Sequence, residues 1–372
     1  MKTITTQHNF KTINYLLLLF SIISLSTACK QQAAKQIEIR GIYGHPAPLW
    51  EKDYQLSELG VNAIFAHSGS IDQAMMDGAK KEGVRVFAEF ATLNGKNYVE
   101  QHPEAWAIDN FGKKVQPATW FMGVCPTEPG FKKYRQEQLR KLLQTYDIDG
   151  VWLDYVHWHA QFEDPEPILP ETCFCEHCLK QFSEHTGLTI TGDDTSEKAA
   201  WILSNHDAQW RTWRTQVIYN WTVEMKAILK EEKPNALLGL YHCPWTDEEY
   251  DGARRRILGL DYQLLQQSVD VFSPMVYHGR MERSPEWVAE NIAWFSAALN
   301  IKDNGFPKVW PIVQAHNDPE VISAEEFGVV LKGGLAGQST GVMMFTTRSI
   351  AEDPGKVEMM KAIYGTLISD EL

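Results

Sequence analysis

Residues 149–155 of the chain read Asp-Gly-Val-Trp-Leu-Asp-Tyr, a short apolar run that ends in a carboxylate and a tyrosine. Its apolar residues are consecutive rather than alternating, which is typical of a strand buried on both faces of a parallel sheet. Burying an unpaired carboxylate is costly, so Asp154 must be either paired or used. An ion pair with Arg348 would satisfy it structurally, but its position at a strand end favours a catalytic role.

Seven further runs of this kind lie along the chain, with helix-rich segments between them. The eight predicted strands are 37–43, 61–67, 84–90, 150–156, 236–243, 269–277, 309–314 and 341–346. Eight alternations of strand and helix predict an α/β fold, a (β/α)8 or TIM barrel formed by residues 37–372 as a single domain. An open doubly wound sheet is the alternative, and the lack of a glycine-rich turn after the first strand disfavours it.

The longest connection, residues 158–235, separates the predicted fourth and fifth strands. It has about eighty residues, whereas a typical barrel leaves roughly 20–30 for a crossover. We expect an insertion or lid here, on the face where the strand-to-helix loops build the site. Within it, the acidic, proline-rich residues 163–167 predict a fixed loop over the barrel mouth. Residues 199–232 predict a long helix with a buried tryptophan face.

Histidine, tyrosine or acidic residues stand at nearly every predicted strand end. The carboxyl ends of barrel strands share one face, so we expect these side chains to converge on one site. The predicted substrate-binding residues are Tyr43, His45, His67, Trp120, Tyr155, His157, Tyr241, His242, Tyr277, His278, Gln314 and Arg348. Among these, Trp120 lies in the loop after the third strand and would stack on a sugar ring, with core packing as the alternative.

Two carboxyl groups are the usual requirement for hydrolysis of a glycosidic bond. We predict Asp154 as the nucleophile or base. Glu89, at the end of the third strand, is the first choice for the acid. Asp247 and Glu248 after the fifth strand, and Glu282 after the sixth, are the alternatives for the acid.

The amino-terminal residues predict export. A basic start is followed by the apolar run 15–25 and then by Leu-Ser-Thr-Ala-Cys at 25–29. This segment resembles a bacterial lipobox, which implies removal of residues 1–28 as a signal peptide and a lipid on Cys29. An ordinary signal peptide cut after Ala28 is the alternative. Residues 29–36 predict a polar tether to a membrane-anchored, periplasm-facing lipoprotein.

The net charge of −13 argues against nucleic acid as a partner, because an acidic chain repels phosphate backbones. Thirteen tryptophans and thirteen tyrosines suit sugar rings, although they also fill cores. The sequence leaves the oligomeric state open.

The strand-end motifs resemble those of uncharacterised glycoside hydrolase-like barrel families. The resemblance rests on residues 149–155, with their Leu-Asp-Tyr ending, and on Ser-Pro-Met-Val-Tyr-His at 273–278. It implies a sugar-processing barrel with Asp154 in the catalytic position. The same two strands are also similar to those of family 18 chitinases. However, Val156 stands where that family has its catalytic glutamate, so substrate-assisted chemistry is not implied.

Three cysteines lie within six residues, at Cys173, Cys175 and Cys178. This segment resembles the Cys-x-Cys-x-x-Cys motif of family 42 β-galactosidases, which hold a structural zinc with it and an upstream Cys-Pro cysteine. Cys125 matches that upstream residue, so the resemblance implies a four-cysteine zinc site. That family's Asn-Glu pair is absent from the fourth strand, so its chemistry is not implied.

Other interpretations of the cysteines remain open. His157, His159 or His177 could replace Cys125 as the fourth ligand. A disulfide from Cys125 to one of the trio, or unpaired buried cysteines, are the further alternatives.

The sequence therefore predicts a glycoside hydrolase that acts on an oligo- or polysaccharide and needs no catalytic cofactor. A non-catalytic carbohydrate-binding lipoprotein on a barrel scaffold is one alternative. A metal-dependent hydrolase that uses strand-end histidines is the other, and the lack of a His-x-His pair on the first strand disfavours it.

Overall fold

The computed structural model describes Met1 and residues 35–301 and 306–369, and each predicted strand is present within two residues of its expected bounds. The strands are β1 (Ile39–Tyr43), β2 (Ala63–His67), β3 (Arg85–Ala91), β4 (Gly150–Asp154), β5 (Leu237–His242), β6 (Val271–Val276), β7 (Lys308–Val309), β8 (Ile312–Gln314) and β9 (Gly341–Phe345).

Contacts divide the chain into two units, Met1–Gln36 and Ile37–Leu372, and the second contains all of these strands. Apart from Met1, the predicted signal peptide lies outside the described residues, as do Cys29 and most of the predicted tether. Among the helices that are described, none has the length and apolar character needed to cross a membrane.

The strands close into a parallel barrel, because β1 pairs with β2 on one side and with β9 on the other. Pairing runs in chain order from β2 to β6. The short strands β7 and β8 both pair with β6 and share the seventh place, interrupted by Trp310 and Pro311. Proline has no N–H to donate to the ladder, which explains the break. The predicted (β/α)8 barrel is confirmed.

Aromatic rings fill the barrel below its carboxyl-terminal mouth. The Trp152 ring centroid lies 4.8 Å from that of Phe87 and 5.6 Å from that of Trp310. Its indole Nε1 donates to Ser273 Oγ at 2.8 Å. Gly239 on β5 makes room for this ring, since a Cβ at that position would come within 2.1 Å of it. This packed interior therefore fills the barrel below the strand ends.

The helices are α1 (Ala47–Trp50), α2 (Gln73–Glu82), α3 (Lys96–Gln101), α4 (Pro129–Thr145), α5 (Glu176–Thr186), α6 (Thr195–Asn205), α7 (Asp207–Glu232), α8 (Ala253–Arg256), α9 (Tyr262–Leu265), α10 (Trp287–Ala298), α11 (Ala324–Gly333), α12 (Thr347–Ala351) and α13 (Pro354–Ser369). Capping residues set several starts: Asp72 accepts from the Met75 N–H at 2.8 Å, and Glu128 accepts from the Gly130 N–H at 2.9 Å.

The connection from β4 to β5 begins with a loop, residues 155–175, and continues through α5, α6 and α7. The single helix expected over 199–232 is wrong, because the chain breaks between Asn205 and Asp207. These residue types favour helix ends over helix interiors. The tryptophans of α7 at 210, 213 and 221 are buried as expected, whereas Trp201 lies on α6 and is only partly buried.

Candidate active site

A cavity of about 380 Å³ opens at the carboxyl-terminal ends of the strands. Side chains from every position around the barrel line it, together with loop residues that follow β3, β4 and β6. The lining residues are Tyr43, His67, Glu89, Ala91, Asn94, Trp120, Asp154, Tyr155, Glu163, Tyr241, Met275, Tyr277, Arg280, Ile312 and Phe345.

Asp154 is the last residue of β4 and lies beside Ala91 of β3 in the strand register. The backbone N–H of Tyr155 donates to its Oδ1 at 2.8 Å, which fixes the carboxylate against its own strand end. Tyr155 has a φ of 55°, an uncommon value for a non-glycine residue, and so turns the chain sharply away from the barrel. Burial, followed by the charges of Glu89 and Glu163, raises the Asp154 pKa well above its usual range.

Glu89 lies one inward-facing layer deeper, because it pairs with Trp152 rather than with Asp154. Its side chain is almost fully buried, and the Tyr43 hydroxyl donates to its Oε2. Burial raises the Glu89 pKa, while the Tyr43 hydrogen bond and the charge of His67 oppose that rise. Glu89 is therefore held by protein groups below the level of Asp154.

Glu163 is a third acidic lining residue, and the sequence did not single it out. It lies in the loop after β4, where its Oε2 accepts a hydrogen bond from Arg280 Nη1 at 2.7 Å. Burial raises the Glu163 pKa to about 7, and the charge of Arg280 limits that rise. The sequence predicted an acidic loop over the barrel mouth, and this acidity was the one signal that could have pointed to Glu163. Its partner, Arg280, lies more than one hundred residues further along the chain.

The structure brings most of the predicted aromatic residues together around the carboxyl groups. The predicted residues that line the cavity are Asp154, Glu89, Tyr43, His67, Trp120, Tyr155, Tyr241 and Tyr277. Trp120 is 45% exposed, and its Nε1 donates to the Tyr155 hydroxyl at 3.2 Å. The alternative interpretation of Trp120, that it packs in the core, does not fit this exposure.

Four predicted histidines do not line the cavity. His242 and His278 directly follow inward-facing tyrosines, so strand geometry turns them toward the surrounding helices. The His242 Nδ1 lies 2.8 Å from the Tyr262 hydroxyl, and the His278 Nε2 lies 2.9 Å from Glu326 Oε1. His45 and His157 bond locally: His45 Nδ1 accepts from the Ala47 N–H at 3.1 Å, and His157 Nδ1 donates to the Trp158 carbonyl at 2.7 Å.

Gln314 and Arg348 also lie away from the cavity wall. Gln314 is buried; its Oε1 accepts from the Arg280 N–H at 3.0 Å, so it supports a lining residue from behind. Arg348 is exposed in the short helix α12. In the described part of the chain Arg348 forms no ion pair with Asp154, so the carboxylate is not satisfied in that way.

Four cysteine sulfurs gather at a separate place, between the loop before α4 and the start of α5. The Sγ atoms of Cys125, Cys173, Cys175 and Cys178 all lie within 4.8 Å of one another. Cys125 Sγ is 3.5 Å from both Cys175 Sγ and Cys178 Sγ, and none of the four forms a disulfide. Tetrahedral thiolates about 2.3 Å from a zinc ion would be about 3.8 Å apart. The four residues could therefore hold a metal ion.

The histidines considered as substitute ligands are not part of this cluster. His159 accepts from the Gly123 N–H at 3.0 Å, and His177 is exposed. Two protein groups support the sulfurs instead: the Ile108 N–H donates to Cys173 Sγ at 3.3 Å, and Thr127 Oγ1 lies 3.2 Å from Cys178 Sγ. Such contacts orient metal ligands.

The cysteine cluster joins two site-forming loops. Cys125 belongs to the loop after β3 that also carries Trp120. Cys173 and Cys175 lie at the end of the loop after β4 that carries Glu163, and Cys178 lies in the first turn of α5. Nearby, Trp221 of α7 donates from Nε1 to the Pro126 carbonyl at 2.8 Å. The cluster therefore lies where it links the two loops.

Solved glycosidase structures share this fold at low sequence identity. The PgaB (BpsB) glycoside hydrolase domain from Bordetella bronchiseptica has a TM-score of 0.62 and 13% identity, over 86% of this chain and 92% of its own. The β-amylase catalytic domain from Paenibacillus polymyxa has a TM-score of 0.61 and 10% identity, over 88% of this chain and 97% of its own.

A family 42 β-galactosidase from G. stearothermophilus is also similar in structure. Its TM-score is 0.59 at 14% identity, over 90% of this chain and 58% of its own. Comparison with curated protein sequences found no significant match. The sequence profile of one family matches residues 68–300, which is more than half of the chain. The expected resemblance to glycoside hydrolase-like barrels is thus confirmed, and the chain belongs to the Glycosyl hydrolase-like 10 family.

Proposed function

We propose that the protein hydrolyses glycosidic bonds in an oligo- or polysaccharide. The observation that carries the proposal is the presence of Asp154 and two further carboxyl groups, Glu89 and Glu163, on the wall of one cavity at the barrel mouth. Glycoside hydrolysis needs two carboxyl groups in different protonation states. Burial raises the pKa of all three carboxyl groups, and the charges of Glu89 and Glu163 raise that of Asp154 further, so the cluster favours keeping a proton for acid catalysis.

Asp154 is the proposed nucleophile or base. Its short side chain projects from a rigid strand end, and Oδ1 is fixed by the Tyr155 N–H. The other oxygen, Oδ2, has no hydrogen-bond partner among the described residues and is free to meet an anomeric carbon or a water molecule. Positive charge that develops on the sugar ring in the transition state would favour the ionised form of Asp154.

Aromatic residues would bind the sugar. Tyr43, Tyr241 and Tyr277 line the inner wall, and Trp120 lies exposed at the rim. Flat rings with polar edges suit the apolar faces and hydroxyl groups of sugars.

The four-cysteine cluster is proposed to hold a structural zinc ion. Four sulfur donors match the closed tetrahedral sites that zinc prefers, and no ligand position is left for substrate. Zinc there would supply folding energy and fix the two loops, with no part in bond cleavage.

We also propose export to the periplasm and anchoring through a lipid on Cys29, on the strength of the lipobox-like residues 25–29. Cys29→Ser should move the protein from the membrane fraction to the soluble fraction and abolish labelling with a radioactive fatty acid. Unchanged labelling would contradict the proposed lipid site.

Release of reducing ends from a panel of bacterial and plant polysaccharides tests the activity. Wild-type protein should release them from at least one member, and Asp154→Asn should abolish release while binding persists. Asp149→Asn is the matched control, since it makes the same change at the other end of β4. Its amide oxygen can still accept from the Val86 N–H, as Asp149 Oδ2 does at 2.8 Å. Binding without turnover across the panel would favour the carbohydrate-binding alternative.

A further inference from the structure

The three acidic lining residues lie on different kinds of structural element. Glu89 comes from inside a strand, Asp154 from a strand end, and Glu163 from a loop beyond the strands. A sugar chain that enters through the mouth meets the loop and the strand end before the deeper layer. Asp154 and Glu163 are therefore the two carboxyl groups best placed to act on a bond at the mouth.

The Glu163 carboxyl has one fixed oxygen and one free oxygen. Arg280 Nη1 donates to Oε2 at 2.7 Å, whereas Oε1 has no hydrogen-bond partner in the part of the chain that the structure describes. The side chain is only 8% exposed although it lines the cavity. Such a carboxyl is oriented from one side, and its other oxygen remains available to a substrate in the cavity.

Arg280 is itself held firmly, which fixes the orientation of Glu163. Its second nitrogen, Nη2, donates to Asp318 Oδ2 at 2.8 Å, and its guanidinium carbon lies 4.9 Å from the centre of the Trp120 ring. Its backbone N–H donates to Gln314 at 3.0 Å. The ion pair therefore joins the acidic loop to the aromatic residue at the rim.

We propose that Glu163, rather than Glu89, donates the proton to the departing glycosidic oxygen. The inference rests on the proposed glycosidase function and names a further catalytic residue for it. The Glu163 carboxyl is deeply buried and its pKa of about 7 keeps a substantial protonated fraction at neutral pH. Glu89 is less suited to this role, because Tyr43 already donates to it and it lies a layer deeper.

The step balances without any further reagent. As the bond between the anomeric carbon and the glycosidic oxygen breaks, its electron pair goes to the oxygen, which takes the proton from Glu163 Oε1. Asp154 Oδ2 either bonds to the anomeric carbon or removes a proton from the water that attacks it. In the first course, water later hydrolyses the glycosyl ester, and Glu163 takes back a proton from that water.

Two substrates with different leaving groups can distinguish acid catalysis by Glu163 from a role in binding or folding. The sugar that the polysaccharide panel identifies is made as its phenyl glycoside and its 2,4-dinitrophenyl glycoside. Phenol needs protonation to depart, whereas the far more acidic dinitrophenol does not. Glu163→Gln should slow phenyl glycoside cleavage by about 10²- to 10⁴-fold and change dinitrophenyl glycoside cleavage by less than about tenfold. The Gln side chain can still accept from Arg280.

Two variants serve as references. Asp154→Asn should lose activity on both glycosides, and Glu89→Gln should not show the selective loss on the phenyl glycoside. Equal losses of Glu163→Gln on both substrates, or no loss on either, would overturn the assignment. The selective loss appearing in Glu89→Gln instead would also overturn it. A wild-type protein that cleaves neither glycoside nor any polysaccharide would refute the proposed function itself, so the two failures are distinguishable.

Discussion

The Arg280 guanidinium donates to the Glu163 carboxylate at 2.7 Å, across a loop-to-loop contact at the barrel mouth. A nearby cation favours the ionised carboxylate, so Arg280 keeps the Glu163 pKa, at about 7, from rising further. One ion pair thus links the protonation of an acid to the position of a second loop.

This relationship predicts a pH dependence. A proton donor must be protonated, so activity that depends on Glu163 is present below its pKa and is lost as pH rises through about 7. Arg280→Gln removes the cation, raises the Glu163 pKa and should move the basic limb of the kcat/KM profile upward by about one pH unit. Arg283→Gln is the control, since Arg283 pairs with Glu249 at 2.7 Å. A basic limb that stays in place in Arg280→Gln would contradict the prediction.

The environment of Asp154 should favour activity at the expense of stability, because an ionised carboxylate at this position destabilises the folded protein. Burial and the neighbouring carboxylates raise its pKa in the folded protein, so folding favours the protonated form. Its contribution to stability is present at low pH and is lost as pH rises through the raised pKa. Asp154→Asn removes this partly buried charge and should increase Tm at pH 8 by about 2 °C or more, with a smaller gain at pH 5.

Thermal unfolding of the wild type and variant at both pH values checks this expectation. Asp147→Asn provides a control of opposite sign, because a hydrogen bond from Lys233 lowers the pKa of Asp147. Asp147→Asn should not increase Tm at pH 8. An Asp154→Asn protein less stable than wild type at pH 8 would show that the carboxylate is paired in the folded state.

The barrel was predictable because its strands are apolar runs of the expected length and number. The orientation of residues within those strands was harder to predict. A strand buried on both faces shows no polar alternation, so the sequence does not reveal that Tyr241 faces the cavity while His242 faces the helices. Asp154 could be identified because a carboxylate is conspicuous at the end of such a run.

Contacts between distant loops could not be predicted in this way. Glu163 is one acid among several in a polar loop, and its importance depends on Arg280, which lies on another loop. Cys125 shows the opposite case, because its Cys-Pro segment resembles the upstream zinc ligand of family 42 β-galactosidases. That resemblance named all four cysteines that the structure brings together.

The cysteine cluster predicts a measurable dependence on zinc. Purified protein should contain about one zinc ion per chain by elemental analysis, and Cys125→Ser should lose it. Loss of the ion should lower Tm by about 5 °C or more, because structural zinc contributes to folding. Cys243→Ala is the matched control, since Cys243 is buried outside the cluster. A wild-type protein that binds no metal, and whose Tm does not change when Cys125 is replaced, would contradict a zinc site.

Trp120 should contribute to substrate binding more than to bond cleavage. It is exposed at the cavity rim, with Arg280 over its ring and Tyr155 at its Nε1. Trp120→Ala removes a stacking surface worth about 1 kcal/mol, so KM for the identified polysaccharide should rise by about fivefold at nearly constant kcat. Phe111→Ala, at a 67% exposed aromatic residue between β3 and α4, is the control. A kcat that falls as strongly as KM rises would instead show that Trp120 acts through Glu163 by positioning Arg280.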